Sequence, residues 1–298
     1  MPPRPSPHGV MLVLNLAAPL FMAVDSSDSE SGSMNFFEWL FHSNGFHAPS
    51  TKDFAPAALL FDGTIFEFNR ITLVRIIAAV ALIAIVAVIL RQPKVVPGRA
   101  QAGFEMIVDF VRVDIAESVM GKKDGHRYAM ILTTLFLAIF AFNITGILPF
   151  LNIAGTSVIG LPIVMALWVY ILYLTAGIKE HGLGGFLKSN LFPPGLPKLV
   201  YVLLTPIEFL QIFILRPATL ALRLTANMMA GHLLLVLTFA ASHYFFLEAA
   251  GFMKAFGVVS FAAGAAFTLF EIFVALLQAY VFTILTAVYL NLSLSHEH

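Results

Sequence analysis

The stretch Arg216-Pro-Ala-Thr-Leu-Ala-Leu-Arg223-Leu-Thr-Ala-Asn227-Met-Met-Ala-Gly231-His232 decides how the whole chain is read. It lies inside an apolar tract, about 199–242, that exceeds the roughly 20 residues a helix needs to cross a bilayer. A guanidinium does not lose its proton, and in hydrocarbon it costs about 2.5 to 3.5 kcal/mol even on the lenient insertion scale. Arg223 therefore needs a counter-charge, water or a partner, and its presence points to function. At about 100° per residue, Arg223 and Asn227 share one helix face, whereas His232, nine residues on, faces the opposite side. One helix thus presents two polar faces.

Working outward, the chain of 298 residues is 59% hydrophobic and 11% charged, against about 25% charged in soluble domains. Spans are predicted at 71–90, 128–148 and 158–176, followed by the tracts about 199–242 and 256–292, whose length requires tilted or in-plane helices. Between 99 and 120, Glu105, Asp109, Arg112, Asp114 and Glu117 alternate with Phe104, Met106, Ile107, Phe110, Val111 and Ile115. That pattern is too charged to span and suits an amphipathic helix in the interface. The fold class expected is an all-α integral membrane protein with about five transmembrane helices plus an amphipathic interfacial helix, ending in a long tilted helical hairpin. A polar loop is expected at 177–198, bracketed by Gly182-Leu-Gly184-Gly185 and Pro193-Pro194-Gly195-Leu-Pro197.

Orientation follows the lysines and arginines. Arg91, Lys94, Arg99, Arg112, Lys122, Lys123 and Arg127, with Lys179, Lys188 and Lys198, mark cytoplasmic regions. The first 67 residues carry only Arg4 and Lys52 against Asp25, Asp28, Glu30, Glu38, Asp53, Asp62 and Glu67, so 1–67 is read as an external N-terminal segment and 68–298 as the membrane domain. Five crossings then put the N-terminus outside and the C-terminus in the cytoplasm. The apolar run 10–24 fits either a signal peptide near 1–24 or an unprocessed interfacial segment.

Polar residues at membrane depth are concentrated near the C-terminus: Glu208, Gln211, Arg216, Arg223, Asn227 and His232 in the first tract, Glu271 and Gln278 in the second. Glu271 and Gln278 are seven apart and nearly eclipsed, and with Thr268 and Ala275 they form a narrow stripe suited to water or protons. A Glu and a His that merely pair would hold helices together by about 0.6 to 2 kcal/mol, but stability does not require so many buried ionisable groups. Arg216 precedes Pro217 and can snorkel to the interface. No cysteine exists for disulfides or thiolate metal sites. The terminal Ser295-His-Glu-His298 reads as a solvated tail rather than a metal site. No metal, cofactor or nucleic-acid motif is found. A secondary transporter or channel would commonly show internal repeats, and none is visible. An intramembrane enzyme lacks its His-Glu-x-x-His, serine elbow or paired aspartates.

The arginine stretch, with Glu271 and Gln278-Ala-Tyr-Val-Phe-Thr-Ile-Leu-Thr-Ala-Val-Tyr289-Leu, closely resembles subunit a of F-type ATP synthases. The resemblance extends through Asn143, Gly146 and Pro149 over about residues 65–298. It implies an ion-translocating stator subunit of the Fo sector, without a catalytic site of its own, carrying protons through two aqueous half-channels to and from a ring of c subunits. Proton translocation would fall to Arg223, Asn227, His232, Glu271, Gln278 and Asn143, with Glu208 and Arg216 as further candidates. The implied partners are the c-ring, subunit b of the peripheral stalk, the rest of the F1Fo complex and membrane lipid. The implied location is a bacterial inner membrane or, alternatively, the mitochondrial one. Many bacterial relatives carry Glu at the position of His232 and His at that of Glu271; the exchange, shared with the mitochondrial form, suggests that these side chains touch. The acid sometimes found near Gly146 is absent, and Glu208 stands one residue off the family's spacing to Pro217.

Overall fold

The computed structural model describes residues 58–60, 68–91, 97–148, 154–191, 198–247 and 251–294. The expected signal peptide or interfacial run, most of the expected external segment, Pro149 and the Ser295–His298 tail lie outside these residues. The regular elements among the described residues are helices except for a short antiparallel pair, β1 (Ala58–Leu60) with β2 (Phe68–Asn69).

Helix α1 (Arg70–Leu90) has 21 residues, a length of about 31 Å that matches a hydrocarbon core of about 30 Å. Its many Ile and Val residues would weaken a helix in water, but hydrocarbon leaves the backbone no partner other than itself. Only Ile71, Val74 and Ala78 are buried, and side chains such as Ile83 and Val88 are exposed, as suits a helix facing lipid. Helix α2 (Arg99–Asp109) is the expected amphipathic element and continues through a π-helical stretch, Phe110–Glu117, into α3 (Ser118–Ile144). The chain changes direction at Gly121, whose φ of 78° is open to glycine at little cost. The turn brings α3 back over the π stretch so tightly that a Cβ at Gly125 would stand 2.7 Å from the Glu117 backbone. The interfacial helix is thereby packed against the third helix rather than left free.

Helix α4 (Gly160–Leu191) corrects the sequence reading. The segment expected to be a polar loop from 177 is helical through Leu191, interrupted at Gly182, where φ is 70°. Ile178, Lys179 and Glu180 extend the helix past the apolar span because nothing in them breaks it, and only the glycine does. Helix α5 (Lys198–Leu210), a π stretch Gln211–Leu215 and α6 (Arg216–Leu247) form one long run. After a 3-10 turn at Gly251–Met253 the chain returns as α7 (Lys254–Leu294). With 41 residues, α7 is about 60 Å long, twice the hydrocarbon thickness, so it cannot stand upright in a bilayer.

The α6–α7 hairpin has a definite register. Phe239 lies where a Cβ on Gly264 would be, and Phe246 where one on Gly257 would be. Ser260 Oγ donates to the Thr238 carbonyl at 2.8 Å and Ser242 Oγ to the Gly257 carbonyl at 3.3 Å. Small residues thus receive rings from the facing helix, the close packing that replaces hydrophobic driving force inside a membrane. Helix α7 also packs along α3 and α4, and the buried core of Leu132, Ile139, Val169, Leu224, Phe282 and Leu290 lies among α3, α4, α6 and α7. Five helical runs among the described residues are long and apolar enough to cross a membrane, as expected.

Candidate functional site

Helix α6 does present two faces. Arg223 is exposed, Asn227 half-buried, and His232 buried. The separation follows from helical phase, since nine residues rotate the side chain by about half a circle. No acidic side chain among the described residues pairs with Arg223; the two ion pairs found there both involve Arg112, with Asp109 at 3.0 Å and Glu117 at 3.9 Å. Its neighbours on the outer face, Leu222 and Ala226, are exposed as well.

The stripe on α7 faces inward. Glu271, Ala275 and Gln278 are all buried, with Glu271 only 3% exposed. Asn227 Nδ2 donates to Gln278 Oε1 at 3.2 Å, so the turn that carries Arg223 is tied directly to the stripe. Glu271 packs against Gly231: a Cβ at that glycine would stand 2.9 Å from Glu271 Oε1. The carboxylate is therefore beside the residue that precedes His232. Neither of its oxygens accepts a hydrogen bond from the described residues, and Gln278 Nε2 donates none to them. The expected direct contact between His232 and Glu271 is consequently not made as a hydrogen bond. The hairpin register brings the carboxylate against the backbone of α6 while the imidazole projects from the following residue. Arg70, at the start of α1, lies within electrostatic reach of His232.

The register yields a prediction. In Gly231→Ala the new methyl displaces the flexible end of Glu271 rather than any backbone, so the chain still folds and assembles. Moving that carboxylate by a few tenths of an ångström should cost the fold little, on the order of 1 kcal/mol. Thermal unfolding compared with that of the unsubstituted chain would check this, and loss of the folded chain would contradict it.

Asn143 is fully buried at the end of α3. Its Oδ1 accepts a bond from Thr156 Oγ1 at 2.6 Å, while its Nδ2 has no partner among the described residues. Thr156 belongs to the α3–α4 connection, which folds back so that the Gly155 N–H reaches the Phe142 carbonyl at 3.0 Å and Thr145 Oγ1 at 3.1 Å. Arg75 of α1 holds this connection from the other side. Its Nε donates to the Gly155 carbonyl at 2.8 Å and an Nη to the Val158 carbonyl at 3.1 Å, on either side of Thr156. Gly146 is packed so closely that a Cβ there would meet Ala154 Cβ at 2.8 Å, leaving no room for a relay acid.

Sequence reasoning passed over Arg75, although a guanidinium within a span is the same signal that singles out Arg223. Thr156 and Gly231 carry no such signal, because their roles come from contacts across the fold. Replacing Arg75 by Gln removes two charge-assisted bonds, each worth about 1.5 to 3 kcal/mol, and should loosen the 154–158 segment. The chain has no native cysteine, so a Thr156→Cys reporter gives a clean reading. Its thiol is expected to react several-fold faster with a water-soluble maleimide in the Arg75→Gln background, and equal rates would show that Arg75 does not hold the segment.

Glu208 and Arg216 lie apart from the Glu271 cluster along the helical run. Glu208 is half-buried on α5. The π stretch between it and Arg216 closes its hydrogen bonds over one residue more than an α-helix does, so the phase from Glu208 to Pro217 is not that of a continuous α-helix. Arg216 is half-buried, its guanidinium 5.3 Å from the centre of the Tyr289 ring.

These buried polar groups behind an exposed arginine match a known protein type over most of the chain. The family model described as ATP synthase A chain matches residues 72–291. An ATP synthase subunit a of Rhodococcus erythropolis is 47% identical over 254 residues, covering 85% of this chain and 92% of the relative. Others from Parafrankia sp. and Streptomyces lividans are 40% and 34% identical, covering 85% and 87% of this chain and 85% and 92% of their own lengths. Both the matched extent and the identity place the chain, a multi-pass membrane subunit of an F-type ATP synthase, in the ATP synthase A chain family.

Proposed function

We propose that the chain is the stator that carries protons to and from a rotating c-ring through two aqueous half-channels. The observation that carries this reading is the opposition on α6: Arg223 exposed and without an acidic partner among the described residues, His232 buried on the other side, next in the chain to the glycine that Glu271 packs against. An exposed guanidinium on an apolar surface calls for an external anion, and a carboxylate on a passing c subunit supplies one. On the buried side, Glu271, Gln278 and Asn143 retain polar atoms with no protein partner among the described residues, and such groups require water when buried.

Protons enter from outside past Asn143, Gln278, Glu271 and His232 and neutralise the c carboxylate, which then faces lipid. His232 suits the relay because imidazole exchanges protons near neutral pH. After nearly a full rotation the carboxylate reaches the second path, near Arg216 and the interfacial helix, with Glu208 beside it, and releases its proton to the cytoplasm. Arg223, with Asn227 one turn on, stands between the paths; its fixed charge favours the ionised carboxylate and repels hydronium. Nucleotide chemistry takes place in other subunits, and subunit b holds this chain against the torque. The N-terminus lies outside and the C-terminus inside a bacterial inner membrane.

The reading is tested with the whole complex in sodium-free vesicles under an imposed proton gradient. ATP synthesis that a protonophore collapses is the expected result. A requirement for Na⁺ would overturn proton coupling.

A further inference from the structure

Tyr173 of α4 is 1% exposed, and its hydroxyl donates to the Ile212 carbonyl, 39 residues away, at 2.6 Å. That carbonyl has a specific need for an outside donor. It lies in the π stretch Gln211–Leu215, where bonds run from residue i to i−5, and the Arg216 N–H is accordingly bonded to the Gln211 carbonyl. In α register Ile212 would receive the N–H of residue 216, which is already committed. In π register it would receive that of residue 217, which is proline and has none. Neither register supplies a backbone donor, and an unmet carbonyl away from water is costly.

The same tyrosine is tied to two further helices. Its backbone carbonyl accepts a bond from Ser293 Oγ of α7 at 2.6 Å. Its ring meets Tyr289 edge-on, with centroids 6.2 Å apart and planes at 60°, and Tyr289 in turn lies beneath the Arg216 guanidinium. One residue of α4 thus anchors the start of α6 to the end of α7.

The geometry points to Tyr173 as a positioning residue that completes the π turn and so sets the rotational phase of α6. A turn that relaxed to α register would rotate α6 against α5 by roughly 100°, the angle of one residue. The exposed and buried faces of α6 would then no longer coincide with the ring side and the Glu271 side. This inference rests on the reading of Arg223 as the ring-facing charge, but its structural part can be measured separately.

The test uses the assembled complex in membranes with Tyr173→Phe, which keeps the ring and removes only the hydroxyl. Phase is read by oxidative cross-linking of Asn227→Cys with Gln278→Cys in a chain that has no other cysteine. Proton-driven ATP synthesis is measured in parallel without the cysteines. Loss of the hydroxyl is expected to lower the cross-linking rate several-fold and synthesis by about tenfold. Pro217→Ala returns a backbone N–H at the missing position, and combined with Tyr173→Phe it should recover most of both.

Unchanged cross-linking in Tyr173→Phe overturns the inference, whatever happens to synthesis, as does a loss that Pro217→Ala does not relieve. If the Tyr173→Phe chain fails to accumulate, the double variant decides: recovery of assembly supports the inference and continued failure overturns it. Retention of synthesis in Arg223→Ala would instead sink the functional reading, leaving the cross-linking result to stand on its own.

Discussion

Arg223→Ala is expected to abolish proton-driven ATP synthesis, with a loss of at least roughly a hundredfold, the scale on which single preorganised charges act. The variant should fold, because Arg223 is exposed and forms no ion pair with an acid among the described residues. Removing an exposed guanidinium from an apolar helix leaves the packing of Leu220, Leu224 and Met228 intact. Passive proton leak should rise at the same time, since the other guanidinium on that side of the helix, Arg216, stands two turns away. Arg223→Lys retains a charge but loses the planar fork and binds its hydration water more firmly, so it should support only a small fraction of wild-type synthesis. Each proton descending 100 mV supplies about 2.3 kcal/mol, so even a modest leak dissipates the drive. Synthesis and gradient decay measured in the same vesicles check both statements. Fully coupled synthesis in Arg223→Ala would refute the role assigned to it.

Glu271→Gln is expected to be the next most damaging change, with synthesis lowered about a hundredfold, the usual scale for removing a positioned acid or base. Glutamine preserves the volume beside Gly231 and removes only the ability to titrate, so assembly should be normal. A rate close to wild type would show that Glu271 is structural. His232 gives the companion test. Exchanging both residues, His232→Glu with Glu271→His, should harm synthesis less than either exchange alone, because both groups stay available on the buried side of α6. The missing hydrogen bond between them makes this a test of shared location rather than of a pair. A double variant as inactive as the worse single would count against a common path.

The positions of the spans and the two-faced character of α6 were legible from the chain because both follow from periodicity and hydropathy. The helix past Gly177 reads as a loop from its polarity, yet Ile178, Lys179 and Glu180 only continue the helix. The π stretch before Arg216 was invisible as well. Its Ile212 carbonyl, to which Pro217 has no N–H to offer, is met by Tyr173 from another helix.

By itself the sequence determined that the chain lives in a membrane, which residues are polar at depth, and that Arg223 and His232 must diverge. These are local consequences of a transfer free energy and a helical repeat. Only the tertiary structure decided that Asn227 bonds to Gln278, that Glu271 rests on Gly231 rather than on His232, and that Arg75 steadies the segment carrying Thr156. Those facts depend on the register between helices, which packing of small residues against rings sets and which no single helix encodes. Arg223 stands out in the sequence as an expensive charge, but only the fold decides that no acidic side chain among the described residues pairs with it.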